Sequence, residues 1–290
     1  MKKQRKKNGR MRERVARCVF AAAACVSILA VALICAFLFA NGVPGMAKIG
    51  IWRFLSGTRW KPGNDVYGIL PMIVGSVYVT AGALVIGVPA GLLTAMFLSR
   101  FASRRMLRVM RPAINLLAGI PSVVYGFFGL VVLVPLVRAT LGGSGFSLIS
   151  AGVLLGMMIL PTIISVSESA LNAVPSSYYE GALALGATHE RAVFRVVLPA
   201  AKSGVIAAVI LGVGRAIGEA MAVMMVAGNR AVFPKSLTDG VRTLTSNIVM
   251  EMGYAADLHR EALIATAVVL FIFILIINLL FSVLKRKANV

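Results

Sequence analysis

An all-α integral membrane protein with six transmembrane helices is the fold class that this sequence predicts. Of its 290 residues 59% are hydrophobic and 14% charged, with a mean hydropathy of +0.89. That is more apolar surface than a water-solvated core can hide. Several apolar runs reach 20 residues or more, the length that crosses a hydrocarbon layer about 30 Å thick. All but one of the thirty basic residues lie outside the apolar runs, in the loops and ends that flank them. The runs are too long, and too free of alternation, for the strands of a barrel.

The first span is placed over 19–40, behind a basic arm at 1–18. The other reading of residues 1–40, a cleaved signal peptide, conflicts with an apolar run of about 22 residues where 7–15 are usual. Cys18, Cys25 and Cys35 lie in or beside this run and read as small apolar helix residues. The remaining spans are expected over 69–98, 112–138, 148–171, 203–228 and 262–284, so that 19–290 forms one transmembrane domain. Pro89, Pro121 and Pro161 fall in the middle of the second, third and fourth spans. Each removes a helical hydrogen bond and bends its helix, as packing geometry or as a hinge. Glycines repeat at four-residue spacing (Gly87 with Gly91, Gly152 with Gly156, Gly214 with Gly218), which lets helices approach closely. The outer loops, about 41–68 and 229–261, show no convincing core of their own and are long enough to form a docking surface.

Charge orients the bundle. Lys2, Lys3, Arg5, Lys6, Lys7, Arg10, Arg12, Arg14 and Arg17 lie in the arm. Arg100, Arg104, Arg105, Arg108 and Arg111 follow the second span, Arg191, Arg195 and Lys202 the fourth, and Lys285, Arg286 and Lys287 the sixth. These twenty outnumber the nine of the opposite side (Lys48, Arg53, Arg59, Lys61, Arg138, Arg230, Lys235, Arg242 and Arg260). The richer side is cytoplasmic by the positive-inside rule, which puts both termini inside. The formal charge of +20 is thus spread over span ends, not gathered on a nucleic-acid-binding domain.

One basic residue remains. Arg215 falls about twelve residues into the fifth span, with Glu219 at i+4 on the same expected helix face. A charge at that depth costs at least about 2.5–3.5 kcal/mol, so it needs a partner or water. The pair is either a structural pin or part of an anion path in which the guanidinium offers a forked donor. Glu168, nearer the cytoplasmic end of the fourth span, is a weaker pathway candidate.

Residues 172–202 form a cytoplasmic loop. Ser177 and Glu180 have capping-box spacing, Gly186 is placed to end the helix in a left-handed conformation, and a second amphipathic run, Arg191 to Val197, is expected to stop at Leu198-Pro199. The loop also carries Glu180, Ala182 and Gly186, then nine residues, then Val196, Leu198 and Pro199. This resembles the EAA loop of ABC-importer permeases, E-A-A-x-x-x-G followed by I-x-L-P, with Gly181 replacing the first alanine and Val196 the isoleucine. The resemblance implies the type I (MetI-like) permease fold, and a loop whose Glu180, Ala182, Gly186, Ala187, Leu198 and Pro199 couple to a separate ATPase.

A longer resemblance covers about residue 50 to the end. Residues 211–223 read L-G-V-G-R-A-I-G-E-A-M-A-V, and Val226-Ala227-Gly228-Asn229, 241–248, 251–254, 258–260, 54–60 and Gly119-Ile120-Pro121-Ser122 also fit the pattern of phosphate-importer permeases of the PstC type. The sister PstA type usually follows G-R-A-x-G-E with T-A-P-L. The resemblance implies half of a phosphate pathway in the bacterial cytoplasmic membrane. It also implies a PstA-type partner, two ATPase subunits that bind ATP and Mg, and an extracytoplasmic phosphate-binding protein. A permease for molybdate or sulfate, the PstA-type half, and a non-transporting scaffold or sensor are the alternatives. The chain needs no cofactor of its own: it has no G-x-x-x-x-G-K-[ST] phosphate cradle, and its two histidines, His189 and His259, fall on opposite sides of the membrane. It therefore lacks the residues of an enzyme.

Overall fold

The computed structural model describes residues 2–288, and their side chains except those of 2–12, 14, 281 and 284–288. Most charges of the basic arm and those of the C-terminal tail thus lie outside the described side chains. In chain order the helices are α1 (Lys2–Ile49), α2 (Ile51–Ser56), α3 (Leu70–Phe101), α4 (Arg104–Gly119), α5 (Ser122–Leu141) and α6 (Leu148–Asn172). Then come α7 (Ser176–Ala184), α8 (His189–Ala200), α9 (Lys202–Gly218), α10 (Met221–Val226), α11 (Leu244–Glu251) and α12 (Asp257–Ala288). Residues Val15–Ile49 of α1, all of α3, α5 and α6, and Asp257–Leu280 of α12 are each long and apolar enough to cross a membrane. The pair α8 and α9, bent by 72°, makes a sixth span if counted as one.

Helix α6 is the axis of the bundle. Ser147 caps it, accepting from the Ser150 amide at 3.2 Å, and its apolar residues are buried on several sides. Helix α3 lies along it through glycine seams. A Cβ at Gly87 or Gly91 would stand 2.8 or 2.7 Å from Ile159 or Ile163 of α6, and Gly152 and Gly156 meet Gly82, Ala83 and Ile86 in return. Two of the three glycine pairs therefore serve helix packing. The third, Gly214 with Gly218, has nothing within 4 Å of where its Cβ atoms would be. Helix α1 packs on α12, where Gly42 admits Val268 and Lys48 pairs with Glu261 at 2.6 Å. Most of its remaining described surface is exposed and apolar, as lipid contact requires.

Two expected spans differ, and one element is additional. The span placed at 112–138 is divided, because α4 ends at Gly119, Ile120 is extended (φ −67°, ψ 127°), and Pro121 opens α5. Proline donates no amide and disfavours the helical region for its predecessor, and here, one residue beyond Gly119, the helix breaks instead of bending. Pro89 and Pro161 do lie inside continuous helices. The span placed at 203–228 ends at Gly218. Glu219 is extended (φ −72°, ψ 126°) and its carboxylate accepts from the Ala222 amide at 3.1 Å, which starts α10. Arg215 and Glu219 are therefore not neighbours on one helix. Finally, the described residues include one small antiparallel strand pair, Trp60–Lys61 with Val66–Tyr67.

The outer loops share a core that neither has alone. Phe54, Trp60, Tyr67 and Ile69 of the first are buried against Leu244 of the second and Leu263 of α12. At its centre Glu251 accepts from Trp60 Nε1 at 2.8 Å and Arg242 at 2.7 Å, with His259 Nε2 at 2.8 Å. The Tyr67 phenol beside it is pushed up to about 12, first by burial and then by donating to Asp65. The Glu251 and Arg242 side chains keep only 8% and 15% of their exposure. Removing one member of such a pair strands the other. Glu251→Ala is expected to lower stability by about 3–5 kcal/mol, read as a large fall in Tm of the detergent-solubilised chain. An unchanged Tm would show that water already solvates Arg242.

Candidate functional site

Helix α9 has two faces because its small and branched residues are segregated. Ala208, Gly212, Val213, Ala216 and Ile217 are buried, with Gly212 seated against Ile163 of α6. Leu211, Arg215 and Gly218, spaced i, i+4 and i+7, form the exposed stripe, flanked by Gly214. Among the described residues no side chain forms an ion pair or hydrogen bond with Arg215. On α5, the Tyr125 hydroxyl donates to the Leu117 carbonyl at 2.9 Å. Tyr125 also lines an apolar cavity of about 420 Å³ beside the α4–α5 break. The chain thus presents one unpaired guanidinium on a helix face kept clear by two glycines. Such a face can offer a forked donor to an oxyanion without steric competition.

Glu168 is elsewhere engaged. Arg111 of α4 donates to its Oε1 through both Nε, at 2.9 Å, and a terminal nitrogen. The pair lines a polar cleft of about 260 Å³ with Asn115, Ser165, Ser169 and Asn172. Of the three charges proposed for a pathway, the structure leaves Arg215 open, uses Glu219 as a helix cap, and gives Glu168 to Arg111.

The loop between α6 and α9 is built by its own turn chemistry. Helix α7 begins after Pro175, so Ser177 lies inside it and the expected capping box does not form. The other end does as expected. Gly186 has φ +83°, its amide donates to Leu183 O at 2.9 Å, and the Ala187 amide donates to Ala182 O at 3.0 Å. These two bonds satisfy the last carbonyls of the helix in a Schellman turn. Thr188 then caps α8, accepting from the Arg191 amide at 3.3 Å. The exposed Glu190 carboxylate is held below its usual range by its own backbone amide and by the Thr188 hydroxyl. Helix α8 runs through Leu198 and Pro199 and stops only at Ala201, where the chain bends into α9. Proline tolerates the first turn of that last helical segment, so it does not end the run.

Glu180, Gly186 and Pro199 are exposed on the loop and Ala187 and Leu198 partly so, whereas Ala182 is buried and serves the turn. A residue absent from the motif stands out. Leu185, directly before the left-handed glycine, is 92% exposed at the tip. Its signal in the sequence was a large apolar side chain at a helix end in a water-facing loop.

Residues 87–290 match the family model of the binding-protein-dependent transport system inner membrane component. The chain belongs to this family. It is therefore a permease subunit of the ABC-transporter kind, a multi-pass membrane component that is non-catalytic. This permease is 39% identical to the Bacillus subtilis protein named "Probable ABC transporter permease protein YqgH", over 97% of this chain and 94% of the relative. It is 35% identical to the phosphate transport system permease protein PstC of Xylella fastidiosa strain 9a5c, over 91% and 89%. Its fold is like that of a chain in the inward-facing MetNI methionine ABC transporter. That likeness has a TM-score of 0.57 at 24% identity and covers 76% of this permease and 94% of that chain.

Proposed function

We propose that this permease forms half of the transmembrane pathway of an ATP-driven importer of inorganic phosphate in a bacterial cytoplasmic membrane, with both termini inside. The unpaired Arg215 on the open face of α9 carries the reading. A guanidinium fork matches two phosphate oxygens, and lysine, a point charge, would serve poorly there. Glu219 holds the α9–α10 break that ends this face. The PstC name of several relatives supports phosphate over molybdate or sulfate, and over the PstA-type half.

A PstA-type permease would supply the facing half. An extracytoplasmic phosphate-binding protein would deliver the anion to the outer loops. Two ATPase subunits, which bind the ATP and Mg, would dock on Glu180, Leu185, Gly186 and Ala187. Uptake of radiolabelled phosphate by a strain lacking its other phosphate transporters tests this. Uptake is expected to depend on the gene and to resist excess sulfate and molybdate. Competition by either oxyanion would reassign the substrate, and no uptake of any oxyanion would favour a scaffold.

A further inference from the structure

The cytoplasmic loop is not held by its two ends alone. Ala95 and Met96 of α3, Leu171 of α6 and Val193 and Val197 of α8 share one buried apolar cluster. A polar and aromatic layer extends these contacts. Arg100, near the end of α3, donates to the Leu171 carbonyl at 3.0 Å and places its guanidinium carbon 5.7 Å from the Tyr179 ring centroid. The Tyr179 hydroxyl of α7 is hydrogen-bonded to Nδ1 of His189, the first residue of α8. The His189 ring stands edge-on to Phe101, the last residue of α3, with centroids 4.4 Å apart. Ser99 donates to the Asn172 side chain at 2.7 Å, tying α3 to the end of α6 a second time.

None of these ties is needed to shape the loop, because the Gly186 turn and the Thr188 cap already do that locally. They connect the two arms of the loop to each other and to the cytoplasmic ends of two spans. Two of the three π-helical stretches, Phe97–Phe101 and Val193–Val197, flank the joint. Such widened turns accumulate at functional sites.

We infer that Tyr179 and His189 are positioning residues that make the loop and the cytoplasmic ends of α3 and α6 a single lever. Displacement of the loop by a docked ATPase then moves both spans together. With the pair cut, the ATPase still docks and turns over, but the loop yields before the spans follow. The inference rests on the loop being the ATPase seat, as set out above.

The test uses the complete complex reconstituted in vesicles, with Tyr179→Phe, His189→Ala and His189→Gln. The ATPase subunits are expected to co-purify normally with all three variants, and ATP hydrolysis to stay within about twofold. Phosphate moved per ATP is expected to fall about fivefold in the first two, the factor carried by one hydrogen bond. His189→Gln keeps an amide partner for the Tyr179 hydroxyl and is expected to recover at least half of that loss. A second readout needs no substrate. Amide hydrogen exchange over 97–101 and 171–173 should respond to ATP in the unmodified complex and not in Tyr179→Phe or His189→Ala. An unchanged transport ratio together with an unchanged exchange response overturns the inference. So does loss of the ATPase from the variants, which would make the pair a docking contact. If the unmodified complex shows the exchange response but moves no phosphate, the phosphate reading fails while the lever stands.

Discussion

Replacing Arg215 by glutamine is expected to reduce phosphate uptake to background while the complex still assembles. The guanidinium has no partner among the described residues, so folding loses nothing when it goes. On the proposed placement of Arg215 within the membrane, removing its charge instead relieves a cost of about 2.5–3.5 kcal/mol. Stability and activity should therefore move in opposite directions, with Tm unchanged or raised and uptake lowered by roughly a hundredfold. The latter is the scale of losing about 3 kcal/mol of charge-assisted hydrogen bonding to the anion. Arg215→Lys, which keeps the charge but not the fork, should fall between the two. Uptake by vesicles, normalised to the amount of assembled complex, measures all three. Normal transport by Arg215→Gln would remove Arg215 from the pathway.

Gly186→Pro is expected to leave membrane insertion intact and to weaken ATPase docking by at least tenfold. Gly186 sits at φ +83°, where proline, locked near −65°, cannot follow. The substitution also deletes the amide that donates to Leu183 O. Together these cost on the order of 2–3 kcal/mol at an exposed turn, where nothing stands within 4 Å of a Cβ at Gly186. Gly186→Ala, with a strain of about 1 kcal/mol, should be intermediate. The ATPase retained when the solubilised permease is purified gives the answer, and undiminished retention would show that the turn does not set the docking geometry.

Where the sequence spoke through local chemistry, the structure follows it. Apolar length marked most of the helices long and apolar enough to cross a membrane, and Gly186 signalled its own left-handed turn. The misplacements arise where local signals compete. Ile120-Pro121 and Gly218-Glu219 sit within runs apolar enough to continue. At the first, Pro121 follows closely on Gly119 and the helix breaks, whereas Pro89 and Pro161 leave their helices continuous. At the second, Glu219 turns its carboxylate onto the Ala222 amide, so a residue read as half of a buried pair became a cap. Glu168 was visible as a charge but not as the partner of Arg111, 57 residues away. Distant partners explain the outer core too, since Trp60, Arg242, Glu251 and His259 look unremarkable until the loops meet. Arg215 was found by depth alone, but its openness required seeing that Gly214 and Gly218 face nothing.

The clear stripe on α9 has a bearing on the life of the protein in the cell. On the proposed pairing of two permease halves, a copy made in excess of its mate would leave this guanidinium uncovered in the membrane. A charge stranded in that position is costly, so unassembled copies should be less stable than assembled ones. Balanced synthesis of the two halves would then be a requirement of the fold itself, imposed by one arginine and two glycines.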